Sequence, residues 1–245
     1  MVESSIKTEE IDYGDEPKLK GFIAHPSDTK KKVPGVLIVH EWWGLDDYCR
    51  SRAKQLAGMG YCAMALDMYG GGKQTCHPKE AGAFMKESIK SFESACNRFH
   101  KALDILKNHS ACDGSKIAAI GYCYGGMIVL NMAKKGYDLK GVASFHGSLT
   151  SHVKAKKGVC KAKVLVCNGK DDKMVPKESI AEFKREFDEA GIQYKFINYP
   201  GAIHGFTNPA ATARGKEYGI AIAYNEAADK ASWGELSNFL KEVFA

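Results

Sequence analysis

The chain has no apolar run long enough to span a bilayer, and its opening stretch "MVESSIKTEEIDYGDEPKLK" has no apolar core segment. Neither a membrane anchor nor a secretory leader is expected. The eight cysteines are scattered. No CxxC pair occurs and no Cys/His pair has zinc-ligand spacing, so no metal is expected. Without a leader, these cysteines are expected as reduced thiols in a cytoplasmic protein. There is no tight basic stripe either. The net charge of +6 is mild, and its densest clusters are Lys30 to Lys32 and "KAKKGVCKAK" from Lys154 to Lys163. Separate clusters of this sort are solvated loops and helix faces, so no nucleic-acid partner is expected. Repeats, low-complexity tracts and dividing linkers are also missing, so residues 1–245 are expected to form one domain.

What is present is a soluble globular composition, 44% hydrophobic and 26% charged. A chain of 245 residues can bury a large core without disulfides or metals. "IKTEEIDY" and "KLKGFIAHP" alternate and predict an antiparallel N-terminal pair joined by the turn "GDEP". Val36 to Val39 and "YCAMALDMYG" are continuous apolar runs, as strands buried on both faces require. "DDYCRSRAKQLAGMG" predicts a helix between them. Pro78 to about Asn108 reads as one long helix, with Ala83, Phe84, Ile89, Phe92, Phe99, Leu103 and Leu106 in register. "KIAAIGYC", "KGVASFHGS", "AKVLVCNG" and "YKFINYPG" predict further strands. Helices are expected in "GGMIVLNMAKK", "PKESIAEFKREFDEAG" and the C-terminal "AYNEAADKASWGELSNFLKEVFA". Alternating strands and helices predict an α/β fold: a mostly parallel central sheet with an antiparallel N-terminal start and helices on both faces. In such sheets the active site lies beyond the carboxyl ends of the strands.

One of those ends carries "GYCYGG". It has the form of a nucleophile elbow, G-x-S-x-G, with Cys123 where serine usually stands. Gly121 and Gly125 would let strand and helix approach closely, and Cys123 would sit near the positive end of the following helix. The alternatives are a structural cysteine in a tight turn or a phosphate-cradling loop. An elbow demands an acid and then a histidine, each after a later strand. "NGKDDKMVP" offers Asp171 and Asp172, and the G-x-x-D-x-x-V-P spacing selects Asp172, leaving Asp171 as a turn carboxylate. "YPGAIHGF" offers His204 as the base. His40 and His146 precede the acid and read as hydrogen-bonded structural residues, while His25, His77, His100, His109 and His152 carry no signal. The expected chemistry is acyl transfer: Cys123 attacks an ester or lactone carbonyl, His204 moves protons and Asp172 orients it. Backbone N–H groups of Tyr124 and of Trp42, in the early "HEWWG" loop, are the expected oxyanion donors.

Taken together, "VPGVLIVHEWWGL", "ALDMYG", "IGYCYGG", "GKDDKMVP" and "YPGAIHGF" resemble the dienelactone hydrolase (carboxymethylenebutenolidase) family of α/β-hydrolases over nearly the whole chain. The resemblance implies a triad of Cys123, Asp172 and His204 without a cofactor. It also implies that Glu41 contacts the resting thiol and helps control its ionisation; the alternative for Glu41 is a surface charge at a strand end. Trp43 reads as lining the substrate site, with core packing as the alternative. Gly71 and Asn208 stand where family members acting on dienelactone have carboxylate-binding arginines; Lys73 or Arg214 could substitute, though a lysine lacks the bidentate fork. A small-molecule ester or lactone other than dienelactone is thus the expected substrate, and the protein is expected to be a monomer or weak homodimer. Two other readings stay open: a redox-responsive or binding protein on a hydrolase scaffold, and an acyltransferase using the same three residues.

Overall fold

The computed structural model describes residues 5–28 and 31–245; Met1 to Ser4 and Lys30 of the lysine cluster lie outside them. Two compact units divide the chain, residues 1–119 and 120–245.

The first unit opens with β1 (Ile6–Tyr13) and β2 (Leu19–Pro26), antiparallel, with Ile6 opposite Pro26 and Tyr13 opposite Leu19. β3 (Val33–Val39) and β4 (Cys62–Leu66) are parallel, and β4 also pairs antiparallel with β2. Val36 to Val39 and all of β4 are fully buried, which explains their unbroken apolar sequence. Each such Val or Leu side chain contributes about 1.5–3 kcal/mol by leaving water. α1 (Asp47–Gly58) begins at Asp46, whose carboxylate accepts from Cys49 N–H at 3.3 Å. β5 (Cys112–Tyr122) completes the strand order β1-β2-β4-β3-β5.

The expected long helix is two: α2 (Pro78–Ile89) and α3 (Phe92–Asn108). Ser91 stands between them in an extended conformation, and its hydroxyl accepts from Ser94 N–H at 3.4 Å. A serine that caps a new helix competes with continuation of the old one. In α3 the buried set is Ala95, Cys96, Phe99, Ala102, Leu103 and Leu106, one face at helical spacing. Ala83, by contrast, is exposed and Phe84 only half-buried.

The second unit takes in the last residues of β5 and continues through α4 (Tyr124–Lys135), β6 (Gly141–Phe145), β7 (Lys163–Gly169), α5 (Lys177–Ala190) and β8 (Tyr194–Tyr199). α6 (Ala211–Tyr218) and α7 (Glu226–Phe244) follow. The strand order is β5-β6-β7-β8, and the pairs β6/β7 and β7/β8 are parallel. Gly136 and Gly191 end α4 and α5 in the left-handed conformation. Helix α6 was not expected from the sequence. The α/β class with a mostly parallel, eight-stranded sheet is as predicted. Among the described residues, no helix is long and apolar enough to cross a membrane.

Candidate active site

Strand β5 ends at Tyr122 and α4 starts at Tyr124, leaving Cys123 alone in the turn with φ 53° and ψ −113°. A positive φ in a residue with a side chain is strained, and such strain collects at functional turns. Two glycines make the turn possible. A Cβ on Gly121 would fall on the Gly125 carbonyl, and one on Gly126 would sit 2.5 Å from Ser144 Oγ and 2.8 Å from Gly147 Cα. The second close approach is therefore Gly126 against the end of β6. Cys123 N–H donates to Phe145 O at 3.0 Å, and its side chain is half-buried.

The loop after β7 carries both candidate acids, and the structure separates them. Asp171 Oδ2 accepts from Gly201 N–H at 2.9 Å and serves the turn. Asp172 Oδ1 accepts from Met174 N–H at 2.8 Å, while Oδ2 faces His204 Nδ1 at 2.8 Å. Gly169, the first position of the G-x-x-D pattern, is needed because a Cβ there would lie 2.5 Å from Ala202 O. The loop after β8 carries His204, fixed by a bridge to Ile222 and by Ala223 N–H donating to His204 O at 3.1 Å.

His204 Nε2 lies 3.0 Å from Cys123 Sγ, so the three side chains form one line, Asp172–His204–Cys123. An ionised Asp172 only accepts, which assigns the proton to Nδ1 and leaves Nε2 facing the sulfur. The Asp172 side chain is 1% exposed and that of His204 9%. Burial pulls the His204 pKa down, but the charge of Cys123 and the hydrogen bonds and charge of Asp172 outweigh it and hold it well above the ordinary value. His146 backs this ring edge-on at 5.3 Å, and its Nε2 bonds Thr207 Oγ1 at 2.7 Å. Its φ of 39° makes it the second strained non-glycine residue among those described. Sequence reading had His146 as structural but gave no sign of Thr207 or of the contact with His204.

The "HEWWG" loop belongs to the first unit. His40 is fully buried, with Nδ1–H donating to Glu41 O at 2.5 Å and Nε2 accepting from Met68 N–H at 3.2 Å, a structural histidine as expected. Burial pushes its pKa down. Glu41 is itself buried, 4% exposed, so it is not a surface charge. The Cys49 thiol of α1 is pushed well up by burial first, then by the charges of Asp46 and Glu41. Trp42 O accepts from Tyr69 O–H at 3.0 Å. Trp43 is 2% exposed, with its ring 4.9 Å from that of Trp42, which supports the core-packing alternative.

The two positions lacking arginine are built for other work. Gly71 has φ 68°, where a side chain would be strained, and Asp67 organises its glycine loop by accepting from the N–H groups of Tyr69, Gly70 and Gly72 at 2.7–2.8 Å. Asn208 is buried, and its Oδ1 accepts from Ala210 N–H at 2.9 Å at the start of α6. Lys73 Nζ lies 5.8 Å from the centre of the Phe84 ring.

The profile of the dienelactone hydrolase family matches residues 19–244. A solved protein described as P91, a dienelactone hydrolase-like promiscuous phosphotriesterase from metagenomic libraries, is 29% identical with a TM-score of 0.89, covering 98% of this chain and 99% of that one. A second solved protein, m3DLH, is 33% identical with a TM-score of 0.92 over the same shares. Protein usf of Aquifex pyrophilus is 27% identical over 195 residues, 78% of this chain and 83% of that one.

Proposed function

Since the chain belongs to the dienelactone hydrolase family and is an ester or lactone hydrolase, we propose that it works through a Cys123–His204–Asp172 triad and a covalent acyl-cysteine. The observation that carries this reading is the continuous contact from Asp172 through His204 to a sulfur held on a strained strand-to-helix turn.

The steps follow from that line. The thiol proton passes to His204 Nε2, and Cys123 Sγ adds to the substrate carbonyl carbon, whose π pair moves onto oxygen. The oxyanion is met by Tyr124 N–H, at the first position of α4, where helix N–H groups point outward. As the carbonyl re-forms, the C–O bond breaks and the leaving alkoxide takes the proton from His204. Water then attacks the thioester, giving its proton to His204. The second tetrahedral intermediate expels the thiolate, which takes back the proton from His204 Nε2, leaving the free acid and the starting enzyme. Asp172 stays ionised and holds His204 in the tautomer that accepts at Nε2. Trp42 N–H as second oxyanion donor and Glu41 as the group restraining the resting thiol enter from the family pattern.

The proposed substrate is an uncharged ester or lactone, because the two positions for carboxylate-binding arginines hold a glycine in the left-handed conformation and a buried asparagine bonded to Ala210 N–H. The likeness to P91 adds phosphotriesters as a second electrophile to assay. Eight free thiols, five of them buried, support action in the cytosol. The test is turnover of p-nitrophenyl acetate by the wild type and by Cys123→Ala, with a screen of small esters, lactones and dienelactone. Activity surviving in the variant at unchanged folding ends the proposal. An added alcohol that diverts the acyl group would favour a transferase.

A further inference from the structure

We propose that Glu9, His25 and His109 form a binding site for a divalent transition-metal ion of the zinc, cobalt or nickel type. All three residues belong to the first unit, and the site is independent of the proposed triad.

The backbone brings the three together. In the β1/β2 register Glu9 stands opposite Ile23, and His25 is two residues further along β2, so Glu9 and His25 share one face as diagonal neighbours. His109 caps the C-terminus of α3, where its N–H donates to Leu106 O at 3.2 Å. Its Nε2 reaches Glu9 Oε1 at 2.7 Å, and its ring centre lies 5.3 Å from that of His25. One donor atom from each residue lies within 4.8 Å of the other two. Bonds of about 2.0–2.1 Å in a tetrahedral shell separate ligand atoms by about 3.3 Å, so rotations within the existing side-chain positions close the shell. Two imidazoles and one carboxylate suit a borderline ion, and three protein ligands leave a fourth position open to water.

The outer contacts fit the same reading. His25 Nδ1–H donates to Pro26 O at 2.9 Å, which leaves Nε2 as its ligating atom. At His109 the metal-free arrangement has Ala111 N–H donating to Nδ1 at 3.2 Å and Nε2–H donating to Glu9. Loading moves that proton from Nε2 to Nδ1, which gives up the contact from Ala111 N–H and takes Cys62 Sγ, 3.5 Å away, as its acceptor. Glu9 is exposed and the two histidines are half-buried, so an ion reaches the cluster from solvent. An ordinary ion pair would need only Glu9 and His109; the third donor sets this cluster apart. Its ligands come from three separated segments, so no spacing in the sequence announces them.

Cobalt(II) chloride titrated into the full chain is the probe, followed by visible d–d absorption and by the near-ultraviolet band that thiolate ligation produces. We expect one ion bound at micromolar concentration without a thiolate band. We also expect affinity at least tenfold weaker in each of Glu9→Gln, His25→Ala and His109→Ala, and no change in Cys123→Ala or in the control His100→Ala. Circular dichroism checks the folding of each variant, and Glu9→Gln, on an exposed strand position, keeps the shape of the side chain. The melting midpoint should rise with the ion in the wild type and not in the three site variants. The proposal fails if the wild type takes up no cobalt below a millimolar. It also fails if binding survives in the site variants, or if it carries a thiolate band that Cys123→Ala abolishes.

Discussion

Replacing Asp172 with asparagine keeps its size and removes one hydrogen-bond acceptor edge, and the geometry says why that is costly. Oδ1 accepts from Met174 N–H and Oδ2 from His204 Nδ1–H, each at 2.8 Å. An asparagine has one carbonyl and one NH2. If its carbonyl keeps Met174, the NH2 faces Nδ1 and drives the ring proton to Nε2, where His204 can no longer accept from Cys123. If the carbonyl turns to His204, two donors face each other at Met174, inside a site where Asp172 is 1% exposed. Either way the productive tautomer loses its support. The same exchange in a serine triad removes about four orders of magnitude in kcat. The expected loss here is about a thousand- to ten-thousandfold in kcat/KM, or about 4–5.5 kcal/mol. Asp171→Asn is the matched control. Asp171 only accepts from Gly201 N–H, which an asparagine carbonyl can also do, so its loss should stay within about threefold. Steady-state kinetics on p-nitrophenyl acetate at one pH compares the two. Equal losses, or a larger one in Asp171→Asn, would overturn the assignment.

Four further outcomes are expected. Cys123→Ala should lose essentially all esterase activity while its denaturation midpoint stays near the wild-type value, because the half-buried side chain makes few core contacts; a large drop in the midpoint would point to a structural thiol. Dienelactone should be turned over about one to two decades less efficiently than a neutral ester, the worth of a missing charge-assisted contact of about 1.5–3 kcal/mol, and a clear preference for dienelactone would show that Lys73 or Arg214 supplies the cation. The His204 ring, followed by NMR, should titrate lower in both Cys123→Ala and Asp172→Asn, since those groups hold its pKa up against burial. A raised folded-state value stabilises fully below the unfolded value of about 6.5 and fades as pH rises through the folded one, so the destabilisation in Asp172→Asn should shrink towards alkaline pH. Glu41→Gln should be alkylated by iodoacetamide at Cys123 faster than the wild type near neutral pH, and an unchanged rate would leave Glu41 a buried structural carboxylate of the first unit.

The parts of the fold that were legible are those where one force dominates. Val36 to Val39 of β3 and all of β4 are fully buried, so their sequence is apolar without a break. The Cys123 turn is crowded enough that glycine shows through at Gly121, and Gly169 marks the acid loop for the same reason. The G-x-x-D-x-x-V-P spacing then separated two adjacent aspartates that composition treats alike. Where several weak effects compete, the sequence was ambiguous. Helical composition runs straight through Lys90 and Ser91, and one serine cap decides the break between α2 and α3. Helix α6 was hidden by Gly215, which a helix disfavours but whose Cβ would fall against Ile222 O, and by a start at Ala210 without a side-chain cap. In the elbow, Gly126 is also pressed against the end of β6, a contact that only the neighbouring strand reveals.

The central claim is that Cys123 carries the acyl group, and rapid-quench mass spectrometry tests it most directly. Wild-type protein mixed with p-nitrophenyl acetate and quenched in acid within the first turnover should show one acetyl group on the peptide that contains Cys123. Cys123→Ala should show no such adduct. Acetylation at another residue, or turnover in Cys123→Ala at the wild-type rate with no adduct, would contradict the account.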